Sequence, residues 1–294
     1  MTERLSDVRA RIGTVDQLSA VIGAMRGIAA ARSREARGHL DGIRAYAGMI
    51  AAAIGRALAL LPDPEGLAAP ERQGAAGAGS GAHAVIAFCA EQGFAGAFSE
   101  RVLDAVSQLP HASARQGTEL LLIGDRGLQV ARQRGVAVAW SAPMVAHAGQ
   151  VPALANRIAE ALYERLDSGH VARVTMVNAL PGVAGTPEIS AKLLVPFDFH
   201  RLPVQPNAVA PLLTLPPQRL LAMLVAEYVF AELCEGVMLS FAAENDARMR
   251  AMIAAKTNVT NTLDGLRARS RQLRQEEITN EIIELAGGAI ARNC

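Results

Sequence analysis

The sequence predicts an α/β plus coiled-coil fold, in which long antiparallel N- and C-terminal helices bracket an inserted α/β domain. Three observations predict it. Apolar residues recur alternately three and four positions apart through both ends of the chain, proline is absent from residues 1–61 and 218–294, and the middle changes to short apolar runs alternating with amphipathic segments. The first and last define two helices, and the middle defines a helix-covered sheet.

The N-terminal stripe runs from Leu5 through Val8, Ile12 and Val15 to Ile54, Ala57 and Leu61, interrupted only by Ser19, Arg26 and Ser33. At 1.5 Å per residue a helix over residues 1–61 would reach roughly 85 Å, too long for a compact domain of this size. It ends at Pro62, where "PDPEGLAAPERQGAAGAGSG" (residues 62–81) mixes proline, glycine and small residues without periodicity and reads as a linker.

Residues 82–200 form the predicted α/β (Rossmann-like) domain. Strands are expected at 84–89, 119–124, 136–140, 173–180 and 189–195, with helices at 96–109, 125–135 and 151–166. The alternation argues for a mostly parallel sheet, and the last two strands should form a hairpin. After "PVQPNAVAPLLTLPP" (203–217) the C-terminal helix occupies 217–294, with a stripe of Asn245, Met249, Met252, Lys256, Val259, Leu263, Leu266, Ser270 and Leu273. Each helical stripe is too narrow for a core and too long to leave wet, so the two should pair side by side.

Composition narrows the function. The formal net charge is +1 over 294 residues, which gives no global attraction for nucleic acid or membrane. Cys89, Cys234 and Cys294 are scattered, and the six histidines show no ligand or triad spacing, so neither a metal site nor a disulfide framework is expected. The opening "MTERLSDVRARIG" lacks a signal-peptide pattern, and no run is long and apolar enough for a membrane span.

No GK[ST] occurs, so the Walker-type phosphate loop is absent. The segment "GAAGAGSG" precedes the first strand and lacks GxGxxG spacing. "EQGFAGAF" (91–98) and "IGDRG" (123–127) do follow strands; each is either a helix start that holds an anion or a tight turn that needs glycine anyway.

The C-terminal helix carries a sharp change of sign. Arg248, Arg250, Lys256, Arg267, Arg269, Arg271 and Arg274 face only Asp264 among acids, and then Glu276, Glu277, Glu281 and Glu284 follow. Acids in the last turns oppose the macrodipole, which an external partner would explain. On the N-terminal helix, "GAMRGIAAAR" (23–32) is unusually small-sided, suited to close helix approach or to a thin rod held inside something.

The segments "RIGTVDQLSAVIGAMRGIAAAR" and "ENDARMRAMIAAKTNVTNTLDGL…RQEEITNEIIELAGGA", with "QGFAGAF" and "IGDRG" between them, resemble the gamma subunit of F-type ATP synthases, the central rotor shaft, over nearly the whole chain. The resemblance implies a non-catalytic rotor subunit without cofactor. Its helices would occupy the cavity of a hexamer of alpha and beta subunits, and its α/β domain would rest with the epsilon subunit on the c-subunit ring. The setting implied is peripheral, at the cytoplasmic face of a bacterial inner membrane. Ion-driven rotation of ring and shaft would bias the beta subunits between open and closed states.

Matched residue by residue, the resemblance places Arg274, Gln275 and Thr279 at the beta-subunit catch, together with Met25 and Arg26 on the opposing helix. Charge reversal at Arg274 should then impair coupling more than at Arg115. Two stretches depart from the family pattern: "QLSAVIG" (17–23) lacks two lysines and "EQGFAGA" (91–97) lacks a cysteine, which suggests a divergent or second-copy type. Two other readings stand beside this one: a small-molecule enzyme with a helical dimerisation rod, and an unrelated scaffold coiled coil.

Overall fold

A computed structural model of the chain describes residues 4–61, 81–109, 117–182, 187–202 and 213–291, the last six as backbone alone. Most of the linker before the first strand, and His111, Arg115 and Cys294, lie outside the described residues. The order of elements is α1 (Leu5–Leu58), β1 (Ala82–Phe88), α2 (Phe98–Ser107), β2 (Thr118–Ile123), α3 (Asp125–Gln133), β3 (Trp140–Ala142), α4 (Val151–Asp167), β4 (Val171–Leu180), β5 (Glu188–Val195) and α5 (Pro217–Ala291). Two long helices thus flank an α/β segment, as the apolar stripes predict.

The chain gathers into two compact units, residues 1–28 with 249–294, and residues 29–248. In the first, the helix ends pair through the predicted stripes. Val8, Ile22, Met252 and Leu263 are buried, while Leu18 and Val21 on the other side of α1 stay exposed. Ser19 interrupts the apolar stripe for a reason: it is buried, and the Nζ of Lys256, a stripe position of α5, donates to its Oγ. Arg267 meets Asp16 at 3.4 Å. Moving towards the start of α1 therefore means moving towards the end of α5, which is the antiparallel sense.

In the second unit the sheet order is β3-β2-β1-β4-β5. The first four strands are parallel and β5 pairs antiparallel with β4, which confirms the predicted hairpin. Side chains of β1 alternate between two cores. Ala84, Ile86 and Phe88 meet α4 and the segments of α1 and α5 in this unit, through Ile158, Leu162, Ala36, Leu233 and Val237. Val85, Ala87 and Cys89 meet α2 and α3 through Phe98, Val102 and Val130. Full burial of each such aliphatic or aromatic side chain stabilises by about 1.5–3 kcal/mol, so these two layers dominate the stability of the unit. A third cluster packs Ile54 and Leu58 against Leu202 and Leu221.

One strand falls later than expected. Residues 136–139 lie outside β3, because the chain is still leaving α3: Gly135 has φ +67°, and the Val136 N–H donates back to Ala131 O at 2.9 Å. The apolar run "VAVAW" reads as a strand, yet pairing with Leu121 begins only at Trp140. At Gly236, α5 passes very close to the sheet, since a Cβ there would sit 2.5 Å from Met176 Sδ.

Candidate functional site

The residues matched to a partner contact all lie on the paired helix ends. Arg274, Gln275 and Thr279 share one exposed stretch of α5. Gln275 and Thr279 are one helical turn apart, and the Thr279 hydroxyl donates to Gln275 O at 2.8 Å. That bond leaves the oxygen lone pairs of the hydroxyl facing solvent. Gln272 Nε2 donates to Glu276 Oε1 at 3.1 Å, and these side chains with Gln275, Thr279 and Asn280 border an open depression. Among the described residues, Arg274 has no carboxylate within ion-pairing distance.

Beyond this polar band the helix turns apolar without cover. Ile278, Ile282, Ile283 and Leu285 are 48%, 60%, 62% and 74% exposed. Four large aliphatic side chains within eight residues of one helix form a wet apolar surface of the kind that marks an interaction site.

Met25 and Arg26 sit elsewhere. Met25 is half-buried and Arg26 exposed on α1. With Ser19 beside Lys256 and Asp16 beside Arg267, they lie level with the stretch of α5 around residue 254. That is about 30 Å along the axis from Arg274, at 1.5 Å per residue. The structure therefore separates the five matched residues into two places instead of one.

The basic run is also divided. Arg267 is engaged by Asp16 and Asp264. Arg248, expected with the outward-facing basic residues, is 5% exposed and pairs with Glu244, itself 2% exposed. Only part of the run is available to an external partner, because burial of a guanidinium demands an internal carboxylate.

That buried pair organises the loop after β1. Glu244 Oε1 accepts from the backbone N–H groups of Glu91 at 3.2 Å and Gln92 at 3.3 Å. Arg248 donates to Gln92 O at 3.1 Å and Gly93 O at 3.2 Å. Burial raises the Glu244 carboxyl above its ordinary value, and Arg248 and the two amides oppose that rise. The next residue, Phe94, is held at φ +62° with its ring 66% exposed.

Glu91 in turn reaches the neighbouring loops. One carboxylate oxygen accepts from Asp125 N at 3.1 Å, at the start of α3, and from Met144 N at 2.7 Å, after β3. The two glycine-containing segments singled out in the sequence are therefore tight turns, and the anion at the start of α3 is the chain's own carboxylate. Cys89 beneath them is buried, and burial pushes its thiol up to about 12, so it is unreactive at neutral pH. Sequence reasoning missed this network because its halves lie 153 positions apart in the chain. The available signal was Glu244 with Arg248, one helical turn apart inside an apolar stretch.

Among the described residues no cluster of histidine, cysteine and acidic side chains could hold a metal ion. No described helix is long and apolar enough to cross a membrane.

Antiparallel terminal helices, an inserted sheet domain whose edge loops are tied to its own side chains, and exposed apolar turns at the end of α5 define a coiled-coil subunit with an α/β insertion. A model of the ATP synthase family matches residues 4–291, and the chain belongs to that family, among its gamma chains. It is 28% identical to the ATP synthase gamma chain of Solibacter usitatus, with 98% of each chain covered. It is 29% identical to that of Frankia casuarinae, covering 99% of this chain and 98% of the other.

Two solved structures share the fold. A chain of the Euglena gracilis mitochondrial ATP synthase superposes with TM-score 0.63 at 11% identity, over 98% of this chain and 94% of that one. A chain from the central stalk and c-ring of the Tetrahymena thermophila enzyme gives TM-score 0.56 at 15% identity, over 80% of this chain and 99% of that one. As a family member the protein is a non-catalytic central-stalk subunit of an F-type ATP synthase, in which catalysis belongs to the beta subunits.

Proposed function

We propose that the end of α5 is the part of the stalk enclosed by the alpha and beta subunits, with Arg274, Gln275 and Thr279 meeting the beta-subunit catch and the turns after them serving as an apolar bearing. The observation that carries this is the run from Ile278 to Leu285, which leaves four large aliphatic side chains in water when the chain is alone. A surface of that kind marks a place where other chains pack. The sign change at Arg274 then marks the passage from a polar collar to that bearing.

Met25 and Arg26 form a second contact on the beta subunits, about 30 Å from the first along the paired helix ends at the helical rise. The α/β domain rests with the epsilon subunit on the c-subunit ring. The complex is membrane-associated, and this chain works at the cytoplasmic face of a bacterial inner membrane, meeting the bilayer only through its partners. Rotation of the ring turns the stalk, and the stalk biases beta conformations for ATP synthesis or hydrolysis.

Co-expression with alpha and beta subunits tests the reading. A complex containing one copy of this chain and hydrolysing ATP is expected. Alpha and beta subunits that purify without it, or that hydrolyse ATP equally well in its absence, would overturn the reading.

A further inference from the structure

The contacts around Glu91 form a continuous chain from α5 to three loops at the C-terminal edge of the sheet. Arg248 and Glu244 on α5 grip the backbone of residues 91–93, and the Glu91 side chain grips the first turn of α3 and the loop after β3. Every link is a hydrogen bond with a charged donor or acceptor, the stronger kind. The pair on α5 is buried, so water does not compete for it.

Glu91 joins α5 through its backbone N–H and two neighbouring loops through its carboxylate. The Lys192–Glu232 pair, also on α5, joins only one strand to that helix. The Arg44–Glu235 pair joins helix to helix. The β1–α2 loop thus fastens the C-terminal edge of the sheet to the helix beneath it, beside the single bond from Ala179 N to Ser240 Oγ at 3.2 Å.

We propose that Glu91, Glu244 and Arg248 are positioning residues that act as one clamp, transmitting load between α5 and the inserted domain. The load-bearing role rests on the central-stalk reading, while the clamp itself is a property of the isolated chain. A linked network differs from a set of separate contacts in one respect: loosening its α5 end must loosen its far end.

The first test reads that property on the isolated chain. Glu244→Ala removes the acceptor for residues 91 and 92 without touching Asp125 or Met144. Glu244→Gln, whose amide oxygen can still accept, is the rescue, and amide hydrogen exchange is followed at Asp125 and Met144 by NMR. Exchange there is expected to speed up roughly tenfold, while amides in β4 stay unchanged. Unaltered exchange at both residues in a folded Glu244→Ala chain would overturn the proposal, whatever the fate of the rotor reading.

The second test reads load transfer in the complex with alpha and beta subunits, with a bead attached to the α/β domain. Glu91→Ala is expected to widen the angular spread of the bead during pauses by about twofold, leave the ATP hydrolysis rate intact, and be rescued by Glu91→Gln, whose amide oxygen can still accept. Lys192→Met breaks a partly buried pair outside the clamp and is the stability control. Equal widening in Lys192→Met, or none in Glu91→Ala, would overturn the clamp, whereas failure of the unaltered chain to assemble would count against the rotor reading and leave the exchange test to decide the clamp.

Discussion

Ser33 and Asp246, 213 positions apart in the sequence, meet at 2.5 Å in the buried seam between α1 and α5. The other carboxylate oxygen of Asp246 is taken by Arg37. An interruption of an apolar stripe is here one half of a polar pair. Ser33→Ala removes a donor from a carboxylate that cannot regain water, and a loss of about 1.5–3 kcal/mol is expected. Urea unfolding of the two chains measures it.

Two apolar residues of α5 should behave oppositely. Met252 is buried between the helices, and Met252→Ala is expected to cost about 2–5 kcal/mol. Ile282 is 60% exposed, and Ile282→Ala should change the stability of the isolated chain by less than about 0.5 kcal/mol. In the assembled complex Ile282→Ser should nonetheless lower hydrolysis-driven rotation. Loss of stability in the isolated Ile282→Ala chain would show that its side chain is covered after all.

Charge reversal separates the catch from ordinary surface. Arg274→Glu should leave the unfolding transition in place and reduce coupled ATP synthesis severalfold in membranes that contain the complex. Arg157→Glu, on the exposed side of α4, should do neither. Equal effects of the two reversals would remove the assignment of Arg274 to a contact.

Much of this fold is legible in the sequence, because a stripe of fixed spacing reports burial directly. Val8, Ile22, Ala29, Ala36 and Ile54 are all buried on the face their spacing marks, while Arg26 on the same stripe is exposed. Contacts set by tertiary closure leave no such trace. Nothing near Glu91 announces that its carboxylate will meet Asp125 and Met144, and in the sequence Arg248 looks like the other basic residues of that run. The distance between Met25 and Arg274 depends on how the helices are registered, which the polar pairs Ser19–Lys256 and Asp16–Arg267 fix.

Close packing at the first turn of α3 predicts a severe substitution. A Cβ at Gly127 would lie 2.1 Å from Cys89 Cβ and 2.8 Å from its Sγ. Gly127 lies in α3, and Cys89 directly follows β1 with its N–H bonded to Ile123 O at 2.8 Å, so Gly127→Ala should cost about 1–3 kcal/mol. Gly236→Ala should cost less, because the nearest atom is the flexible sulfur of Met176. Thermal unfolding of both variants establishes the order.

The raised Glu244 carboxyl gives a pH dependence of definite sign. Between its ordinary value of 4.5 and the higher value in the folded chain, the folded state holds a proton that the unfolded state has released. This contribution to stability is full below 4.5 and is lost as pH rises through the folded value. Glu244→Gln cannot ionise and should lack that loss. Unfolding free energies of both chains across this range should therefore diverge as pH rises, and parallel curves would refute the attribution.

Glu91 also changes what the inserted domain can accept. In a doubly wound sheet the start of a helix at the strand ends is where a phosphate group would dock. Here a tethered carboxylate already occupies the first N–H of α3, that of Asp125, and its effective concentration is that of an intramolecular competitor, in the millimolar range or above. A dissolved nucleotide would have to evict it while its backbone is still pinned by Glu244. The architecture of a nucleotide binder has become a self-satisfied joint.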